Sequence, residues 1–143
     1  MSLVNTQAHR AARNAASIAF ADAGAANSSI KLYTAPGGTL LGTRTLAKPC
    51  GTVRPSDGRI ALAAAATPEV VMATGAATWA EWCDGSGEAI SAGRVTDTAG
   101  NITDGTGAVV PHVDGVGTFV LGGTTGTSLY LGGLVLLYSA LIG

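Results

Sequence analysis

The residues in this chain that could do chemistry are few and scattered. Its glutamates are Glu69, Glu81 and Glu88. Glu81 with Asp84 or Glu88 comes nearest to a glycosidase pair, in which one carboxyl protonates the leaving group and the other acts as base or nucleophile. Both pairs lie along one short hairpin, which does not set them on a common face, so the pattern assigns no such site. Cys50 and Cys83 lie far apart, and their spacing leaves a disulfide open. A thiol nucleophile needs a basic partner, for which the sequence offers only His9 and His112. Inside a strand, Cys83 reads as a small buried hydrophobe. Asp57, Asp84, Asp97, Asp104 and Asp114 each stand near a glycine. A calcium site needs about six to eight converging oxygens, and Asp97-Thr98-Ala99-Gly100-Asn101 followed by Asp104 does not fit the hand-type loop. Ordinary turn chemistry accounts for all five. Gly122-Gly123-Thr124-Thr125-Gly126 lacks the lysine of a phosphate cradle, and the His and Cys positions lack zinc-ligand spacing. The expectation is therefore a protein that is not an enzyme, with no catalytic residues, no cofactor and no bound metal.

Composition points the same way. Charged residues make up 12% of the 143, about half of what is usual in a soluble domain of ~25%, and there are 21 glycines. Mean hydropathy is positive, with alanine supplying much of it and Thr, Ser, Asn and Gly building the polar surface. So little charge favours burial in a larger assembly over life as a free monomer. The net charge is −1, with no block of like charges, which argues against a nucleic-acid partner. His9, Arg10 and Arg13 cluster near the start and read first as the solvated face of a helix. No apolar run follows Met1-Ser2-Leu3-Val4, so no signal peptide is expected. The apolar run 129–142 is about 14 residues against the roughly 20 of a membrane span, so no membrane partner is expected either.

These side chains must be positioned by a helix followed by strands. Apolar residues at helical spacing (Ala8, Ala11, Ala12, Ala15, Ile18, Ala19) predict a helix over about 5–23, capped by Asn5 or Thr6 and stopped at Gly24. Its alanine stripe permits close approach to whatever it packs on, so the helix either covers a sheet or is an arm that reaches a neighbour, and the opposite face carries Gln7, Arg10, Arg13, Asn14 and Ser17. From there the chain reads as β: 29–34, 39–46, 59–63, 69–73, 78–84, 89–95, 108–110, 117–121, 128–131 and 134–142. Lys48-Pro49-Cys50-Gly51 and 51–58 read as loop. The unbroken apolarity of 134–142 suggests a strand buried on both faces. Many short strands between Gly, Pro, Asp and Thr turns are the signature of a sandwich or barrel, and the expectation taken is a mainly β domain, a β-sandwich of jelly-roll type with about 8–10 strands, preceded by one N-terminal α-helix. The division is an N-terminal helix or arm, 1–24, and a single compact β domain, 25–143.

The centre of this arrangement is Thr78-Trp79-Ala80-Glu81-Trp82-Cys83-Asp84-Gly85-Ser86-Gly87-Glu88. Period-two alternation puts Trp79, Glu81 and Cys83 on one side and Ala80, Trp82 and Asp84 on the other. One tryptophan anchors the core and the other needs a cover. Trp79, Trp82 and Tyr33 together would also suit a sugar-stacking platform, the runner-up reading.

Arg13-Asn14-Ala15, Asp22-Ala23-Gly24, Ile30-Lys31-Leu32-Tyr33-Thr34, Gly42-Thr43, Gly58-Arg59-Ile60-Ala61-Leu62, Ala77-Thr78-Trp79 and Asp84-Gly85-Ser86-Gly87 together give residues 10–105 an outline that resembles small virion proteins of tailed bacteriophages. The resemblance implies a structural role. The first expectation is a capsid cement or decoration protein on the outer capsid surface of the virion, made in the host cytoplasm, with the major capsid protein and copies of itself as partners. The alternative is a tail, baseplate or fibre-associated module, including a carbohydrate-binding one. Arg10, Arg13, Tyr33, Trp79 and Trp82 are the candidate interface residues, joined by an exposed strand edge.

Overall fold

The computed structural model describes residues 6–143. Asn5, the alternative cap, and the segment Met1-Ser2-Leu3-Val4 lie outside them. Helix α1, Gln7–Ala21, is capped by Thr6, whose hydroxyl accepts from the His9 N–H at 3.2 Å. Its seating is mixed: Ala11 and Ile18 of the alanine stripe turn toward the barrel and Gln7 and Arg13 face water, but Asn14 and Arg10 of the polar side also turn inward. Asn14 and Ala21 are buried and Arg10, Ala11, Ser17 and Ile18 half-buried, while Ala8, Ala12, Ala15, Ala19 and Phe20 are exposed. The reason is polar. The Asn14 amide donates to the Gly58 carbonyl at 2.7 Å and the Arg10 guanidinium to the Asp57 carbonyl at 3.0 Å. Alanine methyls bury too little area to compete with those bonds.

The strands are β1 (Ser29–Tyr33), β2 (Leu40–Val53), β3 (Ile60–Ala64), β4 (Gly75–Ala76), β5 (Trp79–Cys83), β6 (Ala89–Asp97), β7 (Asn101–Thr103), β8 (Val109–Pro111), β9 (Phe119–Leu121), β10 (Ser128–Leu129) and β11 (Leu137–Ile142). The protein is mainly β with one N-terminal helix, but its main sheet closes on itself. The order β1-β2-β3-β11-β9-β6-β5 forms a closed barrel, where two facing sheets were expected. β1 pairs with β2 on one side and β5 on the other, and the one parallel pairing of the ring is β6 with β9. Short strands between turns describe a barrel as well as a sandwich, because the pattern does not say which strands pair. Closure leaves the ring without the free edge foreseen as a contact.

The inward residues form the core: Ile30 and Leu32 of β1, Leu41 and Leu46 of β2, Ile60 and Leu62 of β3, Ala80 and Trp82 of β5, Val95, Phe119 and Leu121. β2 runs past its expected end at Leu46 to Val53. Its register against β3 slips between Leu46 and Gly51, around a cis Lys48–Pro49 bond. The first half of β2 thus pairs with β1 and the second with β3. A proline at an irregular position costs the ladder nothing. The expected strand 69–73 is reduced to a single bridge between Val70 and Leu134.

Strand directions place Tyr33, Leu40, Trp79, Asp97, Leu121 and Leu137 at one end of the ring. Residues 65–77 and 122–136 fold over that end, burying Val71, Ala77, Leu129 and Val135 beneath them. Helix α1 lies at the other end, against the turn at Gly58 and beside Gly143. The molecule therefore has a helix pole and a capped pole.

Candidate functional site

The capped pole carries the most unusual surface of the protein. Residues 134–138 alternate, with Val135 buried and Leu134, Leu136 and Tyr138 pointing outward. Val70 and Met72 flank buried Val71 in the same way, and Val70 bridges to Leu134. Continuous apolarity at 134–142 had suggested burial on both faces. Instead the ring and its cap use one face, and nothing among the described residues covers the other. With Tyr130 and Leu131, these seven side chains are 41% to 71% exposed. Tyr130, Leu134 and Leu136 line a shallow groove of about 250 Å³ together with Gly122 and Gly123. Neither residues 70–80 nor residues 115–143 contain any Asp, Glu, Lys, Arg or His. Monomeric proteins seldom expose apolar patches of more than a few hundred Å². Other exposed valines, Val109, Val113 and Val116, sit near polar groups: Arg94 lies 3.1 Å from His112 and donates to the Gly115 carbonyl.

The pole is held in place from beneath. Arg44, almost wholly buried, donates to the carbonyls of Thr67 (2.9 Å) and Ala65 and meets Glu69 at 3.4 Å. Glu69 in turn accepts from the Thr45 N–H at 2.9 Å. Burial pushes the Glu69 carboxyl up, but Thr45 and Arg44 outweigh it and hold it below the usual value. Asp97 ties down the following segments, accepting from Ala99 and Asn101 through Oδ1 and from Gly126 at 2.7 Å through Oδ2.

Beside the groove, a cleft of about 410 Å³ is lined by Thr34, Thr74, Thr78, Thr103, Asp104 and Ser128 together with Leu129 and Tyr130, and more of its lining is apolar than polar. Asp104 spends Oδ1 on its own turn, accepting from the Thr106 hydroxyl and N–H and from the Ala108 N–H.

The candidate interface residues fall at both poles. Arg10 is half-buried and anchored to Asp57, whereas Arg13 is exposed on the outer side of the helix. Tyr33 and Trp79 are cross-strand partners and half-buried at the capped end. Burial, then the Glu81 carboxylate and Cys83, raise the Tyr33 hydroxyl above its ordinary pKa. Trp82 is 1% exposed inside the barrel, so the three aromatics do not share a platform. Cys83 is buried, yet it stands on Trp79's side of β5 and outside the core that holds Trp82: Lys31 and Glu81 act on its thiol, and the slip against β6 leaves the extra residue, Ile90, on β6. Both cysteines are free and buried, and desolvation raises both thiols. Among the described residues no group of three or more His, Cys, Asp or Glu gathers to hold a metal. The apolar pole itself is what sequence reasoning missed. Its signal was present in the uncharged run from 115 onward. No protein-family model, curated protein or solved structure matches this chain.

Proposed function

We propose that this protein is a non-enzymatic structural component of a tailed-bacteriophage virion, a capsid cement or decoration protein that binds the outer shell and stabilises contacts between capsid subunits. The observation that supports this reading is the uncharged apolar pole, a surface suited to burial in a larger assembly and poorly suited to water. A protein that binds only the assembled lattice stabilises it by mass action, and each added contact must break before the shell opens. The partners are the major capsid protein and further copies of the chain. Nucleic acid is not among them, given a net charge of −1. No helix among the described residues is long and apolar enough to cross a membrane. The test is to mix the purified protein with capsids that lack it and image them by electron cryo-microscopy. Regular density at subunit boundaries is expected; bare shells, with the protein on tails or nowhere, would sink the capsid reading.

A second reading, a glycan-binding module of a tail, baseplate or fibre, is favoured by the cleft beside the groove. Its row of hydroxyls, the Asp104 carboxylate and the ring of Tyr130 suit a neutral sugar. A glycan pull-down that Tyr130→Ala abolishes would bring it to the front.

A further inference from the structure

Resting on the assembly reading, we infer that the apolar pole is where a second copy of this chain packs, joining two barrels cap to cap. The first argument is area. The seven residues, 41% to 71% exposed and two of them tyrosines of roughly 150–250 Å² each, present on the order of 800 Å², about what each partner of a standard-size interface contributes. The second is charge. A two-fold contact sets a surface against itself, so a charge near the axis meets its own copy. Residues 70–80 and 115–143 carry none, and that surface can face its copy with no like-charge penalty. The third is shape. Leu134, Leu136 and Tyr138 alternate outward, and Val70 bridges to Leu134 with Met72 two residues on, which gives a row of apolar side chains along one side of the cap.

The pairing also suits a clamp. A dimer carries two shell-binding surfaces where one barrel carries one. Two barrels joined at their capped poles direct two helix poles outward, with Arg13 and Phe20 exposed on each, and become bivalent.

The experiment is sedimentation equilibrium on the full chain and on Leu136→Glu and Tyr138→Glu, with Phe20→Glu as control. Both changes lie on the outward face and are expected to leave the circular dichroism spectrum unchanged. The wild type and Phe20→Glu should run at twice the chain mass, and the two pole variants at half that value. Should either variant fail to fold, the milder Tyr138→Ser takes its place, and the wild-type mass is decisive in any case. A monomeric wild type, or an oligomer that survives both pole substitutions, overturns the inference. Shells decorated by a monomer would overturn it while leaving the cement reading standing. Bare shells alongside a dimer would do the reverse.

Discussion

Asp84-Gly85-Ser86-Gly87 and Asp104-Gly105-Thr106-Gly107 are one turn written twice. Each aspartate accepts from the hydroxyl and N–H two residues on and from the N–H four residues on. Gly87 and Gly107 close the turns at φ 89° and 86°, which only glycine adopts without strain. Both turns were legible in the sequence because every partner lies within four positions. Asp97 begins in the same way, but its second oxygen reaches the Gly126 N–H, far along the chain. Nothing local announced that bond. Asp97→Ala would leave three N–H groups without their acceptor at a site 3% exposed, at a cost of about 3 kcal/mol. Asp104→Ala, in an exposed turn, should cost distinctly less. Urea melts of the two variants check the order, and equal losses would contradict the anchoring role of Asp97.

At the scale of elements, helix α1 and strand β11 both depart from what their apolar patterns suggest. The helix was legible in extent, from its Thr6 cap to its end at Ala21, but not in orientation. Hydrogen bonds from Asn14 and Arg10 to the β2–β3 turn decide which side faces the barrel. Asn14→Ala should therefore destabilise the fold by about 1–2 kcal/mol, whereas Arg13→Ala, on the outer side, should leave it unchanged. Thermal melts distinguish the two; the reverse ranking would mean that the alanine stripe is the packed face. In β11, inward Ala140 and Ile142 meet the core while Tyr138 points to solvent. Hydrophobic residues in an exposed position look, in sequence, like those of a buried strand.

For the whole molecule, acid is the informative variable. The Arg54 guanidinium holds Asp57 at about 2. The Ser86 and Thr106 hydroxyls, with backbone N–H groups, hold Asp84 and Asp104 below the usual carboxylate range. Burial pushes Asp97 up, but the N–H groups of Asn101, Gly126 and Ala99 outweigh it and leave it lowered, as with Glu69. Each group has its pKa depressed by folding, so below the ordinary value near ~4 the unfolded chain takes up protons that the folded one refuses. The stability these groups provide is complete above that value and is lost as pH falls through the folded values. The urea midpoint should thus decline from about pH 4 toward pH 2; a midpoint that rises over that interval would reverse the sign. By itself the sequence determined what short-range chemistry decides: the helix span, the aspartate–glycine turns, the alternation of β1 and β5, and the low charge. Only the tertiary structure decided that the sheet closes, which helix face packs, and that the apolar end of the chain remains uncovered. Those outcomes depend on pairings such as Ile60 with Ile142, between segments distant in sequence. Neither partner's neighbours encode the meeting, so the free energy of closing the ring appears only once all seven strands are in place.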